Sequence, residues 1–306
     1  MARLHLTPVA DYLQREQAPL GPAEWAAIDQ TVVRTAQSVL VGRRFISLVG
    51  PFGPGIEALP NDTIVGGGAG EIDLLGNADG KTLSIDSRRF LPLPLLYKDF
   101  WVHWRDLEST RQLGVPLDVG KAAAAAAATA QTEDRLVFDG EPSLDLPGLR
   151  TIEGRQTLPM SDWDSMGRAF ADVVEGVRVL TQAGFTGPYA LAVSPRLYAD
   201  LNRIFDDSGV LELEQVEKLA RRGVYPTAVL PEPGALLIDS GGQNLDIAVG
   251  LDLSTAYVES DNLNHRFRVV ESLVLRIRRP GAICTFEAGD GAGISESGRA
   301  RRGARS

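Results

Sequence analysis

Cysteine is almost missing: Cys284 is the single thiol in 306 residues, so no intramolecular disulfide can form, which suits a reducing, cytoplasmic compartment. Cys284 sits in the apolar run Ala282 to Phe286, where an inert, buried side chain is expected. Histidine numbers three, His5, His103 and His265, with no spacing of the metal-helix type, and with one thiol this leaves no structural zinc site. No window reaches the ~18 consecutive apolar residues of a membrane span. The first 17 residues lack the charged start and long apolar block of a signal peptide. Basic residues are in the minority, 31 against 40 acidic, and the net charge of −9 argues against nucleic acid as the main partner. Gly66 to Gly70 runs into Glu71 and fails the dinucleotide fingerprint, and neither a phosphate loop nor a nucleophile elbow occurs. Catalytic triads are assembled in space, so these absences leave a hydrolase open.

Present instead are ordinary globular proportions, 44% hydrophobic and 23% charged, over a length that suits one large or two ordinary domains at roughly 100–200 residues each. The strongest local signal is Asp118 to Gly140, with seven consecutive alanines. Alanine loses little side-chain freedom in a helix and leaves no bulk, so this reads as a spine packed among other elements on all sides, stopped by Gly140 at positive φ. Trp25, Ile28, Val32, Val33, Ala36, Val39 and Leu40 recur at helical spacing after Pro22 and Glu24, and Gly42 ends that stripe. Arg43 to Val49 then alternates as a strand. Residues 56–100 read as a two-stranded arm with strand pieces at Glu71 to Leu75 and Thr82 to Ile85 and a turn near Ala78. Such a hairpin is marginal alone and needs another surface, for which a partner subunit would serve.

Trp101 to Gln112 reads as a helix or a bent strand. Ser161 is expected to cap a helix running to Gly184, followed by a buried strand at Tyr189 to Val193, helices at Pro195 to Phe205 and Leu211 to Arg222, and strands at Ala235 to Ile238, Leu245 to Val249 and Phe267 to Ile277. The mixture predicts an α+β fold, not a doubly wound sheet. Residues 289–306, with Arg299, Arg301, Arg302 and Arg305 among small residues, read as a disordered basic tail. Two acidic groups stand out. Glu133 and Asp134 point about 100° apart on the spine, which favours solvated or ion-paired roles over a shared acid/base site. Asp206-Asp207-Ser208-Gly209 is a tight loop that would form a charged constriction if repeated around a symmetry axis.

Several short stretches occur in an order that resembles the encapsulins, bacterial nanocompartment shell proteins with the fold of tailed-phage major capsid proteins. They are Ala18-Pro19-Leu20 with Trp25 and Ile28-Asp29, Gly42-Arg43-Arg44-Phe45 with Gly50-Pro51, Glu133-Asp134 leading to Phe138 and Gly140, Gly187-Pro188-Tyr189-Ala190-Leu191, and Gly250 to Ser254 with Tyr257. Tyr97 to Phe100, Trp104 to Asp106, Leu197-Tyr198, Gly223 to Tyr225 and Ala282 to Thr285 are similar to the myxobacterial type of shell, which packages ferritin-like proteins and stores iron. The likeness runs from about Ala18 to Glu287.

The resemblance implies a domain order: a luminal arm (1–17), a helix and strand of the peripheral domain (18–55), an extended loop (56–100), the rest of the peripheral domain with the spine (101–148), the axial domain (149–240), return strands (241–288) and an outer tail (289–306). It implies a shell without catalysis of its own, self-assembled into an icosahedron, that stores iron and protects against oxidative stress through its cargo. Cargo would dock by a C-terminal peptide on Leu40, Arg43, Ile46, Asp252, Leu253 and Tyr257, read as an apolar groove with charges at its edge. Ser47 stands where an acidic residue is frequent in the family. Asp206, Asp207, Ser208 and Gly209 would line the five-fold pore. The shell itself would carry no cofactor, the iron belongs to the cargo, and no residue is assigned to the flavin that some shells hold near Trp101 to Trp104. A phage or prophage capsid subunit is the alternative of the same fold, and an α+β hydrolase or peptidase the alternative of another class.

Overall fold

The computed structural model describes residues 11–65, 70, 72, 74–75, 82–205 and 209–288. In chain order, a 3-10 turn (Arg15–Gln17) precedes helix α1 (Pro22–Val39), the one-turn α2 (Gly42–Phe45), strands β1 (Leu48–Val49), β2 (Ala58–Val65), β3 (Ser84–Pro92) and β4 (Leu95–Val102), and helices α3 (Trp104–Leu113) and α4 (Gly120–Phe138). Then come β5 (Gly140–Glu141), β6 (Leu146–Pro147), β7 (Gln156–Met160), α5 (Arg168–Gln182), β8 (Tyr189–Val193), α6 (Pro195–Leu201), β9 (Ile204–Phe205) and β10 (Val210–Leu211). Helix α7 (Glu212–Leu219), β11 (Val224–Pro226), β12 (Ala235–Asp239), β13 (Leu245–Asp261), β14 (Asn264–Ile277) and β15 (Ile283–Ala288) complete the described chain. It divides into two units at 152/153, 240/241 and 279/280. Of the return segment 241–288, residues 241–279 belong to the first unit and 280–288 to the second.

The first unit is built on a four-stranded sheet in the order β1-β13-β14-β4, with β14 antiparallel to both long neighbours. Register places Phe267 opposite Tyr257 on one side and Phe100 on the other. Helices α1 and α4 bring Trp25, Ile28 and Val32, and Ala122, Ala125 and Ala126, into one core with these aromatics. Trp25 meets Phe267 edge-on at 5.7 Å and Phe100 stacks on it at 5.5 Å. Alanine on the facing side of α4 allows this close approach. The expectation of a spine enclosed on all sides is corrected for the single chain, because Ala124 is exposed and burial follows the three-and-four spacing of one helix face. Residues 11–17 are tied down, with the Arg15 guanidinium 2.6 Å from Asp29 and 3.9 Å from the Trp25 ring; the rest of the arm lies outside the described residues.

Four local expectations change. Arg43 to Val49 is not one strand: residues 42–45 form α2, and only Leu48–Val49 pair, in parallel with Ile247 and Ala248. The arm pairs Ala58 to Val65 with Pro92 to Ser84: the first strand ends before the expected piece at Glu71 to Leu75, of which Leu74 and Leu75 form a bend, the second starts two residues after Thr82 and runs on to Pro92, and the turn near Ala78 lies outside the described residues. Ser161 does not open a helix. The helix begins at Arg168 after Gly167 at φ 79°, and Ser161 N and Oγ both donate to Asp172 Oδ2 at 2.8 Å from the loop before it. The two short helices end before Phe205 and Arg222, at Leu201 and Leu219. Trp101 to Gln112 proves to be strand through Val102 and helix from Trp104.

The second unit holds a five-stranded sheet in the order β11-β8-β12-β15-β7, with α5 packed through Val173 and Leu180 against Leu237 and Phe286. Gly176 makes this close: a Cβ there would lie 2.9 Å from the Phe286 ring. Cys284 lies in the same core, fully buried, and burial pushes its thiol up to about 12, so it stays protonated and unreactive at ordinary pH.

Candidate functional site: the Arg43 corner

Helix α1 ends at Val39, and the next helical turn, α2, is anchored from a distance. Asp134, on α4, accepts from Val41 N at 2.9 Å and Gly42 N at 2.9 Å, doing for α2 what an N-cap side chain does locally. That remote cap is why a segment with strand-like alternation forms a helical turn. Burial pushes the Asp134 carboxyl up to about 6, outweighing the two backbone N–H bonds that favour its charge.

Arg43 therefore projects inward, its side chain 15% exposed, and its guanidinium divides among three carboxylates. Nε donates to Glu133 Oε1 at 2.7 Å, Nη2 to Glu271 Oε2 at 2.8 Å and Nη1 to Asp252 Oδ1 at 2.8 Å. Glu133 and Glu271 are fully enclosed, whereas Asp252 is 62% exposed. Burial raises Glu133 above the ordinary carboxylate range despite Arg43, and burial together with the Glu133 charge raises Glu271 further. Burial alone would lower Arg43; the carboxylates around it keep it charged. Asp252 also organises its own turn, accepting from Leu253 N at 2.9 Å, while Ser254 Oγ donates to Asp252 O at 2.8 Å. A bulge between Leu251 and Ser254 lifts this turn out of the β13 ladder.

Leu40, Arg43, Asp252 and Leu253 thus meet at one corner, where half-buried Leu253 packs on the small cluster of Ala36, Leu40 and Ala130. Two expected groove residues are buried in the single chain. Ile46 is 2% exposed, and Tyr257 is in the aromatic core 5.5 Å from Phe267 with its hydroxyl on Ser260. Leu40 is buried as well, which leaves Leu253 and Asp252 as the presented side chains. Glu271 was missed by sequence reasoning; its signal was a lone acid in the apolar strand Phe267 to Ile277.

The loop carrying Asp206, Asp207 and Ser208 lies outside the described residues. Its base is a two-rung ladder, Phe205 opposite Val210 and Ile204 opposite Leu211, with Gly209 at φ 76°. Glu212 steadies that base by accepting from Phe170 N at 2.9 Å. Near Trp101 and Trp104, His103 Nδ1 lies 3.0 Å from Asn264 Oδ1 and Arg266 stands 5.9 Å from the Trp101 ring.

Residues 10–274 match the family model described as "Encapsulating protein for peroxidase". The chain belongs to this family, the encapsulin shell proteins. It is 43% identical over 286 residues to the type 1 encapsulin shell protein EncA of Myxococcus xanthus, covering 94% of this chain and 99% of that one. It is 41% identical over 264 residues to a diheme-cytochrome-encapsulin shell fusion protein of Kuenenia stuttgartiensis, 86% and 72% covered. With a ferritin-like-encapsulin shell fusion protein of Pyrococcus furiosus it shares 25% over 226 residues, 74% and 61% covered.

In structure the encapsulin is similar to the virus-like particle of Pyrococcus furiosus (TM-score 0.70, 22% identity, 86% of this chain and 99% of that one). It is also similar to the capsid of Myoviridae Phage XM1 (TM-score 0.60, 15% identity, 81% and 90%). The phage likeness is one of fold alone, so the family match decides for an encapsulin shell over a phage capsid subunit. The encapsulin is a structural protein whose copies assemble into a capsid-like compartment.

Proposed function

We propose that this encapsulin shell packages ferritin-like cargo in the cytoplasm for iron storage and protection against oxidative stress, with the chemistry done by the cargo and no catalysis or cofactor of the shell's own. The ferritin-like fusion among its relatives and the resemblance to the myxobacterial type support the cargo class. The observation that carries the docking site is the corner itself. Leu253, half-buried on a bulged turn beside exposed Asp252, offers an apolar foothold with a carboxylate next to it, which fits a short peptide bearing apolar and basic residues. Exposed Ile85 and Phe90 on the β2–β3 hairpin, 53% and 69% accessible, support the reading of residues 56–100 as the arm that leans on a neighbouring copy.

Replacing Leu253 with Gln removes apolar contact worth up to ~1.5–3 kcal/mol. It is expected to lower the amount of a ferritin-like protein co-purifying through its C-terminal peptide roughly ten-fold or more, shells still forming. Cargo per shell, measured by native mass, checks this, and unchanged loading would move the docking site elsewhere.

For the pore, the two adjacent acids Asp206 and Asp207 in the sequence support a passage for cations such as Fe²⁺. The double replacement Asp206→Asn, Asp207→Asn is expected to slow iron uptake into loaded shells several-fold without altering cargo content. An uptake rate equal to wild type would remove this loop from the iron path.

A further inference from the structure

Charge at the Arg43 corner does not balance if every group is ionised. The enclosed part holds one cation, Arg43, against two carboxylates, Glu133 from α4 and Glu271 from β14, both fully buried. Asp252 from β13 contacts the third guanidinium nitrogen but is exposed, so water screens it. Asp134, next on α4, is occupied by the Val41 and Gly42 N–H groups, the Arg44 guanidinium is turned to Ser38 O at 3.2 Å, and among the described residues Arg43 is the one cation paired with the glutamates. Each glutamate uses one oxygen on Arg43. The others, Glu133 Oε2 and Glu271 Oε1, are buried without a hydrogen-bond partner among the described residues. Both glutamates sit on one edge of the guanidinium, Glu133 on Nε and Glu271 on Nη2, the edge that in Arg88 grips both oxygens of the single Asp62 carboxylate, so the two carboxyls are immediate neighbours.

We propose that Glu133 and Glu271 share one proton at neutral pH, and that this proton makes the Arg43 corner a latch that holds α2 and α4 to β14 and loosens as the proton is lost. One hydroxyl donated between the two carboxyls satisfies both orphan oxygens and leaves the enclosed set neutral, one guanidinium against one carboxylate. When the proton leaves, two buried negative charges face each other across a single cation.

Rising pH therefore works against the latch. The folded chain keeps a proton that an unfolded chain loses near the ordinary glutamate value of 4.5, so above that value the unfolded state binds fewer protons and stability falls as pH rises towards the raised folded value. Asp134 contributes the same sign only between 3.8 and about 6, the lowered His265 acts with the opposite sign only below 6.5, and the raised Cys284 thiol adds to the decline only above 9, so a decline between pH 6.5 and 9 belongs to the glutamates. Leu40 and Leu253 hang on the same corner, and if the cargo peptide docks there, as proposed above, its retention weakens with the latch.

The test uses empty assembled shells, so it stands apart from the cargo reading. Glu271→Gln places a permanent amide donor where the shared proton would be while keeping an acceptor for Arg43. Between pH 6.5 and 9, wild-type shells are expected to lose up to tenfold in the folded-to-unfolded ratio per pH unit until the proton has gone, and the Glu271→Gln shells to lose that slope. Infrared difference spectra are expected to show a protonated carboxylic acid carbonyl in wild-type shells at neutral pH that is absent from the variant. A wild-type spectrum with no protonated carboxyl at neutral pH overturns the proposal, as does an unchanged slope in the variant. Should Glu271→Gln fail to assemble, Glu133→Gln makes the same substitution on the opposite side, and the wild-type spectrum decides by itself.

Discussion

Arg43→Ala is expected to destabilise the folded encapsulin by roughly 3–5 kcal/mol, the range for removing one partner of a buried ion pair, and to leave little assembled shell. The substitution removes the only cation in contact with Glu133 and Glu271 among the described residues, and neither glutamate has any solvent access to replace it. It also removes the side chain that bridges α2 to α4, β13 and β14 at 2.7–2.8 Å. The matching change at the exposed end, Asp252→Asn, is expected to lose less than ~1 kcal/mol, because water already screens that carboxylate. Urea unfolding of both variants with size-exclusion of the assembled fraction checks the pair. Equal losses at Arg43 and Asp252 would mean that the enclosed glutamates do not set the stability of this corner.

Gly140→Ala is the second large effect, expected at about 3 kcal/mol or more, combining strain at positive φ with overpacking. Gly140 follows α4 at φ 81°, and a Cβ there would stand 2.2 Å from Leu146 O and 2.5 Å from Gly148 N. Both are backbone atoms, fixed in place because Leu149 N donates to Val137 O and Arg150 N to Phe138 O at 2.9 Å, so no side-chain rotation relieves the clash. Gly55→Ala, where nothing lies within 4 Å of the added carbon, is the control and is expected to stay within ~0.5 kcal/mol of wild type. Melting temperatures of the two variants test the contrast. A Gly140→Ala protein that melts with wild type would show that the turn after α4 can re-form in another conformation.

The two sites differ in how far the sequence foretold them. Gly140 was legible: a long alanine-rich helix followed by glycine is a stop signal at positive φ, and local sterics act within a few residues. Helix α1 was legible for the same kind of reason, since Pro22, Glu24 and the stripe from Trp25 to Val39 act through neighbours one turn apart, and Glu24 Oε2 indeed accepts from Gly21 N at 2.8 Å. Cys284 was foreseen as buried because an apolar run surrounds it. The corner was harder. Leu40, Arg43, Asp252 and Leu253 came from a resemblance, and the structure brings them together, but it also turns Ile46 and Tyr257 inward, because residues adjacent along a strand or helix alternate between core and surface according to what packs on them.

By itself, the sequence determined the elements whose signals are local: the spine, the first helix and its stripe, the glycine stop after α4 and the apolar strand around Cys284. Tertiary structure alone decided that residues 42–45 are helical, because the carboxylate that caps them comes from Asp134, 92 residues away. It alone decided that Glu133 and Glu271 share Arg43, across separations of 90 and 228 residues. Periodicity describes which side of an element is apolar; only folding removes water from a carboxylate, and the loss of that water lifts Glu133 and Glu271 out of the ordinary carboxylate range.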